Sequence, residues 1–188
     1  FPPPEGDAEM VEACAALGLT AASSPYVDAD PALAEVLRAG QQAGQDLIEE
    51  LARGGELVNG WRSAVHIFDY NLDALGFGTL DRDEWKIADR NTAYATRSVA
   101  ARAGLWGNHG YEAAYFITYV DADGADLVGE HTYELHLPSA PPVGAFWSLT
   151  MYDTPNFYLV ANEIDRYSIG STTPGLLVAD DGSITITM

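Results

Sequence analysis

The spacing of hydrophobic and polar positions changes near residue 110. Before this point, apolar residues recur every three or four positions, as on one face of an α-helix. After it, apolar and polar residues alternate, which is typical of strands with one buried face. The pattern predicts an α+β protein in which a helical N-terminal part is followed by an antiparallel β-sandwich.

The first part predicts three helices, at about residues 7–17, 31–53 and 91–103. The second helix has the clearest signals, because Asp30 can cap it and Pro31 suits its first position. The pair Gly54-Gly55 would end it. Residues 56–90 contain aromatics without a sustained period, and we expect short helical turns and an ordered loop there.

The second part predicts six strands, at residues 112–120, 127–138, 144–153, 157–161, 175–179 and 183–188. The turn sequence DADG joins the first two into a hairpin, and DDG joins the last two. Ile184, Ile186 and Met188 share one face of the last strand. Because the chain stops inside this apolar strand, whose edge would be an aggregation hazard, we expect further residues beyond 188. We also interpret the start at Phe1 as processed or truncated.

The charge of the chain excludes two classes of partner. A net charge of −19, from 28 acidic and 9 basic residues, repels nucleic-acid phosphates and anionic membranes. No apolar run is long enough to span a membrane. A high-salt source and compositional drift both remain open as causes of the acidity.

Cys14 is the single cysteine, so no intrachain disulfide forms, and we expect it on the apolar face of the first helix.

A carboxylate-rich segment raises the question of calcium, a hard cation that prefers several oxygen ligands. Asp121, Asp123, Asp126 and Glu130 surround Gly124, but their spacing does not fit an EF-hand. A polar turn with Gly124 at positive φ is the favoured interpretation. We therefore expect no metal and no other cofactor, with calcium as the minority alternative.

Four residues are candidates for catalysis. Asp153 ends the strand FWSLTMYD, Arg166 is the only basic residue after position 102, and Tyr167 follows it. His109 lies in the glycine-rich segment GLWGNHGY, a predicted loop. Arg166 would either form an ion pair with Asp153, Glu163 or Asp165, or bind a substrate carboxylate or phosphate. We favour the structural ion pair.

Three further residues are candidates for binding. Glu134 and His136 share one face of a predicted strand. The pair would act either as a general base with its orienting carboxylate or as two ligands of a metal that needs further partners. A polar, exposed strand face is the favoured alternative. Ser168 is a hydrogen-bonding neighbour for Arg166.

The motifs of the second part resemble a known bacterial family, domain of unknown function 1214. They are GLWGNHGYEAAYF, DADGADLVGEHTYELHLPSAPPVGAFWSLTMYD, NEIDRYSIGSTTPGL and ADDGSITITM, within residues 91–188. The resemblance implies a β-sandwich of jelly-roll type, often secreted or envelope-associated and often preceded by domain of unknown function 1254. Family members continue with a tryptophan-rich strand that this chain lacks. No catalytic residue follows from the resemblance.

These observations predict two domains, a helical extension or partial upstream domain at 1–90 and an incomplete β-sandwich domain at 91–188. The expected function is a binding or structural role in a secreted or cell-envelope protein that assembles with copies of itself. The alternative is a hydrolase or lyase that uses Asp153, Arg166, Tyr167 and His109. These groups would then have to converge on one pocket.

Overall fold

The structure is a computed structural model that describes residues 7–20, 30–68, 87–105, 107–110 and 112–188. The described residues form helices α1 (Ala8–Ala16), α2 (Pro31–Arg53) and α3 (Arg90–Ala103) and strands β1 (Arg62–Ser63), β2 (Phe116–Ile117), β3 (Glu134–Leu137), β4 (Ser148–Thr150), β5 (Ser168–Gly170) and β6 (Ile184–Thr187). Antiparallel two-stranded sheets join β1 to β2, β3 to β6 and β4 to β5. The predicted mixed α+β class is confirmed.

The chain divides into two compact units, unit 1 at residues 1–124 and unit 2 at residues 125–188. All three helices and the β1–β2 sheet belong to unit 1, and the other two sheets belong to unit 2. The predicted domain boundary near residue 90 stays a prediction. None of the helices in the described ranges is both long and apolar enough to cross a membrane.

Acidic side chains cap two helices of unit 1. The Asp30 carboxylate accepts a 3.1 Å hydrogen bond from the Ala32 amide, and Pro31 occupies the first helical position, as predicted. Asp89 accepts 2.7 Å bonds from both the amide and the hydroxyl of Thr92. Each cap satisfies an amide that the first helical turn leaves without a partner, so both caps define where a helix begins.

Helices α2 and α3 pack against each other and form the core of unit 1. The buried side chains are short or branched: Leu37, Ala52, Ala93, Val99 and Ala100. Small side chains allow two helix backbones to approach closely. At the rim, Arg102 Nε donates to Glu49 Oε1 at 2.8 Å and joins the two helices.

The β3–β6 sheet holds the best-buried residues of unit 2. Ile184 and Ile186 are 2% and 3% exposed and share one face of β6, as the alternation predicts. Thr185 and Thr187 on the other face are exposed. Opposite them on β3, Glu134 pairs with Thr187 and His136 with Thr185. This sheet therefore has one apolar, buried face and one polar, exposed face.

The strand pairing predicted for both hairpins is wrong, although the turns at DADG and DDG form. Gly124 and Gly182 have positive φ angles of 82° and 86°, as tight turns require. However, β3 pairs with β6, which lies about fifty residues further along the chain. Similarly, β2 pairs with β1. Residues 175–179 form no strand, and residues 157–161 contribute one bridge, between Leu159 and Tyr152. Alternation identifies a strand but not its partner.

Gly170 explains the close approach of β4 and β5. A Cβ atom placed on Gly170 would lie 2.3 Å from the Trp147 carbonyl oxygen and 3.1 Å from Ser148 Cα. Gly170 is buried, and its amide donates a 2.9 Å hydrogen bond to Thr173 Oγ1. The sequence RYSIG thus ends on a residue that the sheet geometry requires to be glycine.

Candidate functional site

Asp153 is a turn residue. Its carboxylate accepts a 2.7 Å hydrogen bond from the Tyr158 amide, and its own amide donates to the Tyr158 carbonyl at 2.8 Å. Its carbonyl accepts from the Phe157 amide at 3.0 Å. These three bonds close the loop between Tyr152 and Leu159, whose backbones form a bridge. The Asp153 carboxylate, the predicted catalytic group, therefore forms a hydrogen bond within its own turn.

The predicted ion pair between Asp153 and Arg166 is absent. Among the residues that the structure describes, the Arg166 guanidinium makes no ion pair, and Arg166 is exposed. The loop before β5 is held by Asn162 instead. Its amide nitrogen donates to the carbonyls of Val160 and Arg166 at 3.1 and 2.9 Å, and its Oδ1 accepts from the Arg166 amide at 3.0 Å. A neutral amide thus fixes this loop without the cost of burying a charge.

Sequence reasoning missed Asn162. Its signal was the preference of asparagine for turns, where its side chain bonds to nearby backbone groups. Tyr167 and Ser168, which follow Arg166, are both exposed, and β5 begins at Ser168. Arg166, Tyr167 and Ser168 are therefore consecutive exposed residues at the start of β5, whereas the Asp153 side chain is bonded within a different turn.

The predicted binding pair lies on the exposed face of β3. Glu134 and His136 share this face, as predicted, and both are exposed. His136 Nδ1 lies 3.2 Å from Thr185 Oγ1 across the sheet. His109 belongs to unit 1, where its carbonyl accepts bonds from the amides of Glu112 and Ala113 at 2.9 and 3.0 Å.

The carboxylate-rich segment contains a polar turn. Asp121 Oδ1 accepts from the Asp123 amide at 2.9 Å, and the Asp121 carbonyl accepts from the Gly124 amide at 3.2 Å. Within the described ranges, no three His, Cys, Asp or Glu side chains are grouped so that they could hold a metal ion.

Unit 1 contains a small cavity that the sequence did not indicate. It has a volume of about 100 Å³ and lies between the end of α2 and the β1–β2 sheet, lined by Arg53, Leu57, Arg62, Ile117, Thr118, Tyr119 and Val120. Both guanidinium groups are near one aromatic ring, with Cζ of Arg53 at 4.9 Å and Cζ of Arg62 at 6.0 Å from the centroid of Tyr119. These distances are in the range of cation–π contacts. We call this the arginine cavity.

Arg62 also holds the C-terminus of α2. Its Nη1 donates to the Ala52 carbonyl at 2.9 Å, and its Nη2 donates to the Arg53 carbonyl. These carbonyls belong to the last helical turn, which carries partial negative charge. Within the described part of the chain, no acceptor reaches the buried Nε of Arg62. The helix end therefore satisfies only part of this guanidinium.

Tyr119, which lines this cavity, has a raised pKa. Burial raises the pKa of the Tyr119 phenol above its ordinary value of 10.0, although the nearby charges of Arg62 and Arg53 act in the opposite direction. The phenol is therefore neutral near pH 7. One feature of the sequence is consistent with two arginines at this cavity: eight of the nine basic residues precede position 103 and therefore belong to unit 1.

Comparison with known proteins supports the expected resemblance. Residues 112–188 match the family described as Protein of unknown function (DUF1214), so the resemblance is confirmed for this part of the chain. No curated protein matches the chain. Among solved structures, the chain is similar to the VPA0106 protein from Vibrio parahaemolyticus, with 22% sequence identity and a TM-score of 0.46. That match covers 97% of this chain and 39% of the other, so the chain spans about two fifths of the length of that protein.

Proposed function

We propose that this chain, whose residues 112–188 match the DUF1214 family, has a binding or structural role in a secreted or cell-envelope protein that self-assembles. In this proposal, unit 2 is part of a β-sandwich of jelly-roll type, in which two sheets pack face to face.

The observation that carries the proposal is the exposed apolar surface of unit 2. Ile164 is 74% exposed and Leu177 is 84% exposed. Phe146 and Tyr158 are also more than three fifths exposed. Large apolar side chains that form one contiguous exposed patch mark interaction surfaces, and we propose that these four form such a patch. We define the apolar surface of unit 2 as these four residues.

A second copy of the chain is the occupant that we propose for this surface. The two-stranded sheets of unit 2 leave strand edges whose backbone groups can pair with another strand. Burial of an exposed leucine or isoleucine contributes about 1.5–3 kcal/mol. A two-fold dimer buries the same residue of both chains, so two residues per chain contribute about 6–12 kcal/mol. Part of this offsets the cost of association, about 4–15 kcal/mol, and the rest of the interface must supply the remainder.

Size-exclusion chromatography with light scattering tests this role. We expect the wild-type chain to dimerise and the double variant Ile164→Ser, Leu177→Ser to remain a monomer, with dimerisation weakened about a hundredfold or more. The matched control is Val36→Ser, Val58→Ser, which changes two exposed valines of unit 1. Equal dimerisation of both double variants, or a wild-type chain that is a monomer at every concentration, would overturn the assembly role.

The alternative hydrolase or lyase function gains no observation that favours it. The Asp153 carboxylate is bonded to the Tyr158 amide, and Arg166 and Tyr167 lie in a loop held by Asn162. A catalytic site would need these groups to converge within hydrogen-bonding distance of one substrate atom.

A further inference from the structure

Strand β6 has an outer edge whose backbone groups follow from the hydrogen bonds of the β3–β6 sheet. The Tyr133 amide donates to the Met188 carbonyl at 3.0 Å, and the Met188 amide donates back to the Tyr133 carbonyl at 2.9 Å. Hydrogen-bonded and non-hydrogen-bonded pairs alternate along an antiparallel ladder. In the observed register, every second residue of β6, namely Thr185 and Thr187, therefore directs its amide and carbonyl away from β3.

This outer edge of β6 has no protection of the usual kind. Within the described ranges, no hydrogen bond reaches the outward amides and carbonyls of Thr185 and Thr187, and both residues are exposed. Charged side chains and prolines are the common means of blocking a strand edge. The sequence ITIT of β6 contains neither, whereas β3 carries Glu134 and is followed by Pro138. Of the two edges of this sheet, the β6 edge is therefore the one open to another strand.

A second copy of β6 can pair with this edge, and the register follows from the same outward groups. With a two-fold axis at Ile186, Thr185 of each copy faces Thr187 of the other, and four backbone hydrogen bonds form between the copies. An axis at Thr185 or Thr187 would form only two within the 188 residues. At Thr185, for example, the next pair would need the Ser183 carbonyl, which already accepts from the Ala179 amide at 2.9 Å.

The side chains of β6 suit a second copy as the occupant. No residue of Ile184–Thr187 is charged, so two chains of net charge −19 would meet along a segment without like charges opposed. At the axis, the Cα atoms of the two Ile186 residues would lie about 4.5 Å apart, as in other non-hydrogen-bonded pairs. Ile186 belongs to the buried face and the threonines to the exposed face. Both faces of the sheet would therefore continue across the axis.

We propose that two copies of the chain pair antiparallel through β6, about a two-fold axis at Ile186, and form one four-stranded sheet in the order β3–β6–β6–β3. This inference rests on the self-assembly proposed above and specifies which backbone groups join the two copies. The apolar surface of unit 2 then contributes to the same dimer by burial, and β6 determines its register.

Disulfide cross-linking of the 188-residue chain tests this register. In a Cys14→Ser background, which removes the single native cysteine, one chain carries Thr185→Cys and another carries Thr187→Cys. Across the axis these two positions have Cα atoms about 5.5 Å apart, a distance that a disulfide can bridge. Each position lies about 9 Å from the same position of the other copy, which is too far. We expect oxidation to cross-link the mixed chains and neither variant alone.

Proline substitution tests the edge without cysteine. Thr185→Pro removes one outward amide from each copy, and thus two of the four bonds, so it should weaken dimerisation at least about tenfold in sedimentation equilibrium. His136→Pro is the matched control, because it removes an outward amide of β3 at the position opposite Thr185. Both variants lose the 3.2 Å contact between His136 Nδ1 and Thr185 Oγ1. The control should leave dimerisation unchanged.

The outcomes separate this pairing from the assembly on which it rests. Failure of the mixed chains to cross-link, equal cross-linking of either cysteine variant alone, or equal weakening by the two proline variants would overturn the β6 pairing. If the wild-type chain nevertheless dimerises and the Ile164→Ser, Leu177→Ser variant does not, the proposed assembly stands without it. A wild-type chain that is a monomer at every concentration would overturn both.

Discussion

Replacing Asp153 with alanine removes the acceptor of the 2.7 Å hydrogen bond from the Tyr158 amide. The two backbone bonds of this turn, at 2.8 and 3.0 Å, do not involve the side chain and remain possible in the variant. A hydrogen bond to a charged acceptor contributes about 1.5–3 kcal/mol when it is shielded from water. Because Asp153 is half-buried, we expect Asp153→Ala to lower the free energy of unfolding by about 1 kcal/mol.

The matched variant Asp153→Asn separates the acceptor from the charge. Asparagine keeps a carbonyl oxygen at the position of Oδ1 and also favours turns, so its free energy of unfolding should stay within about 0.5 kcal/mol of wild type. Urea unfolding, followed by far-ultraviolet circular dichroism at pH 7, gives both values. Thermal unfolding should show a loss of about 2–4 °C for the alanine variant alone.

The result that would refute this reasoning is equal destabilisation by alanine and asparagine. It would show that the negative charge of Asp153, and not its role as an acceptor in the turn, determines stability. A stable Asp153→Ala variant would likewise refute a structural role for the side chain.

The remaining predictions concern unit 1. Arg62→Ala should lower the thermal unfolding midpoint by several degrees, because two carbonyls at the end of α2 lose their donor, whereas Arg38→Ala should leave it nearly unchanged; equal effects would contradict the capping role. Burial raises the pKa of Tyr119, so its stabilising contribution is present below about pH 10 and is lost as the pH rises through the folded-state pKa. Absorbance titration at alkaline pH should show that Tyr119→Phe removes an ionisation above the ordinary value of 10.0; loss of a step at or below it would contradict the burial. The hydrogen bonds from Thr92 lower the pKa of Asp89, so the contribution of Asp89 is present above its unfolded-state pKa and is lost as the pH falls through the lower, folded-state value. Asp89→Ala should therefore lower the unfolding midpoint near pH 6, and its effect should shrink as the pH falls below the ordinary value of 3.8; a loss that does not depend on pH would exclude the carboxylate as the cause.

Local signals predicted the helices well. Asp30 and Pro31 marked the start of α2 correctly, because a cap depends on residues within one helical turn. The cap of α3 by Asp89 was missed in favour of a start near residue 91, although the same kind of signal was present. The predicted loop within residues 56–90 falls partly outside the described residues, which leave out 69–86.

Partners distant in sequence could not be predicted. The alternation in β6 identified its buried face through Ile184 and Ile186, but it contains no information on whether β3 or a nearer segment is the partner. The same limit applies to the arginine cavity. Arg53 and Tyr119 are distant along the chain and meet only because the β1–β2 sheet lies at the end of α2.

In the AFWSLTMYD stretch, alternation held only where a sheet formed. Trp147 and Leu149 are half-buried, and Ser148 between them is exposed. Beyond Thr150 the alternation fails, since Met151, which a continued strand would place on the same face as Trp147 and Leu149, is 50% exposed. Strand β4 ends at Thr150, and a period of two applies only while the backbone remains in a strand.

Sedimentation equilibrium of the wild-type chain over a series of salt concentrations tests the proposed self-assembly most directly. Each copy carries a net charge of −19, so two copies repel each other, and the screening length falls from about 10 Å at 0.1 M to about 3 Å at 1 M salt. Burial of the apolar surface of unit 2 does not depend on this repulsion. The account predicts a monomer–dimer equilibrium that shifts toward dimer as salt increases. A single monomeric species at every protein and salt concentration would contradict it.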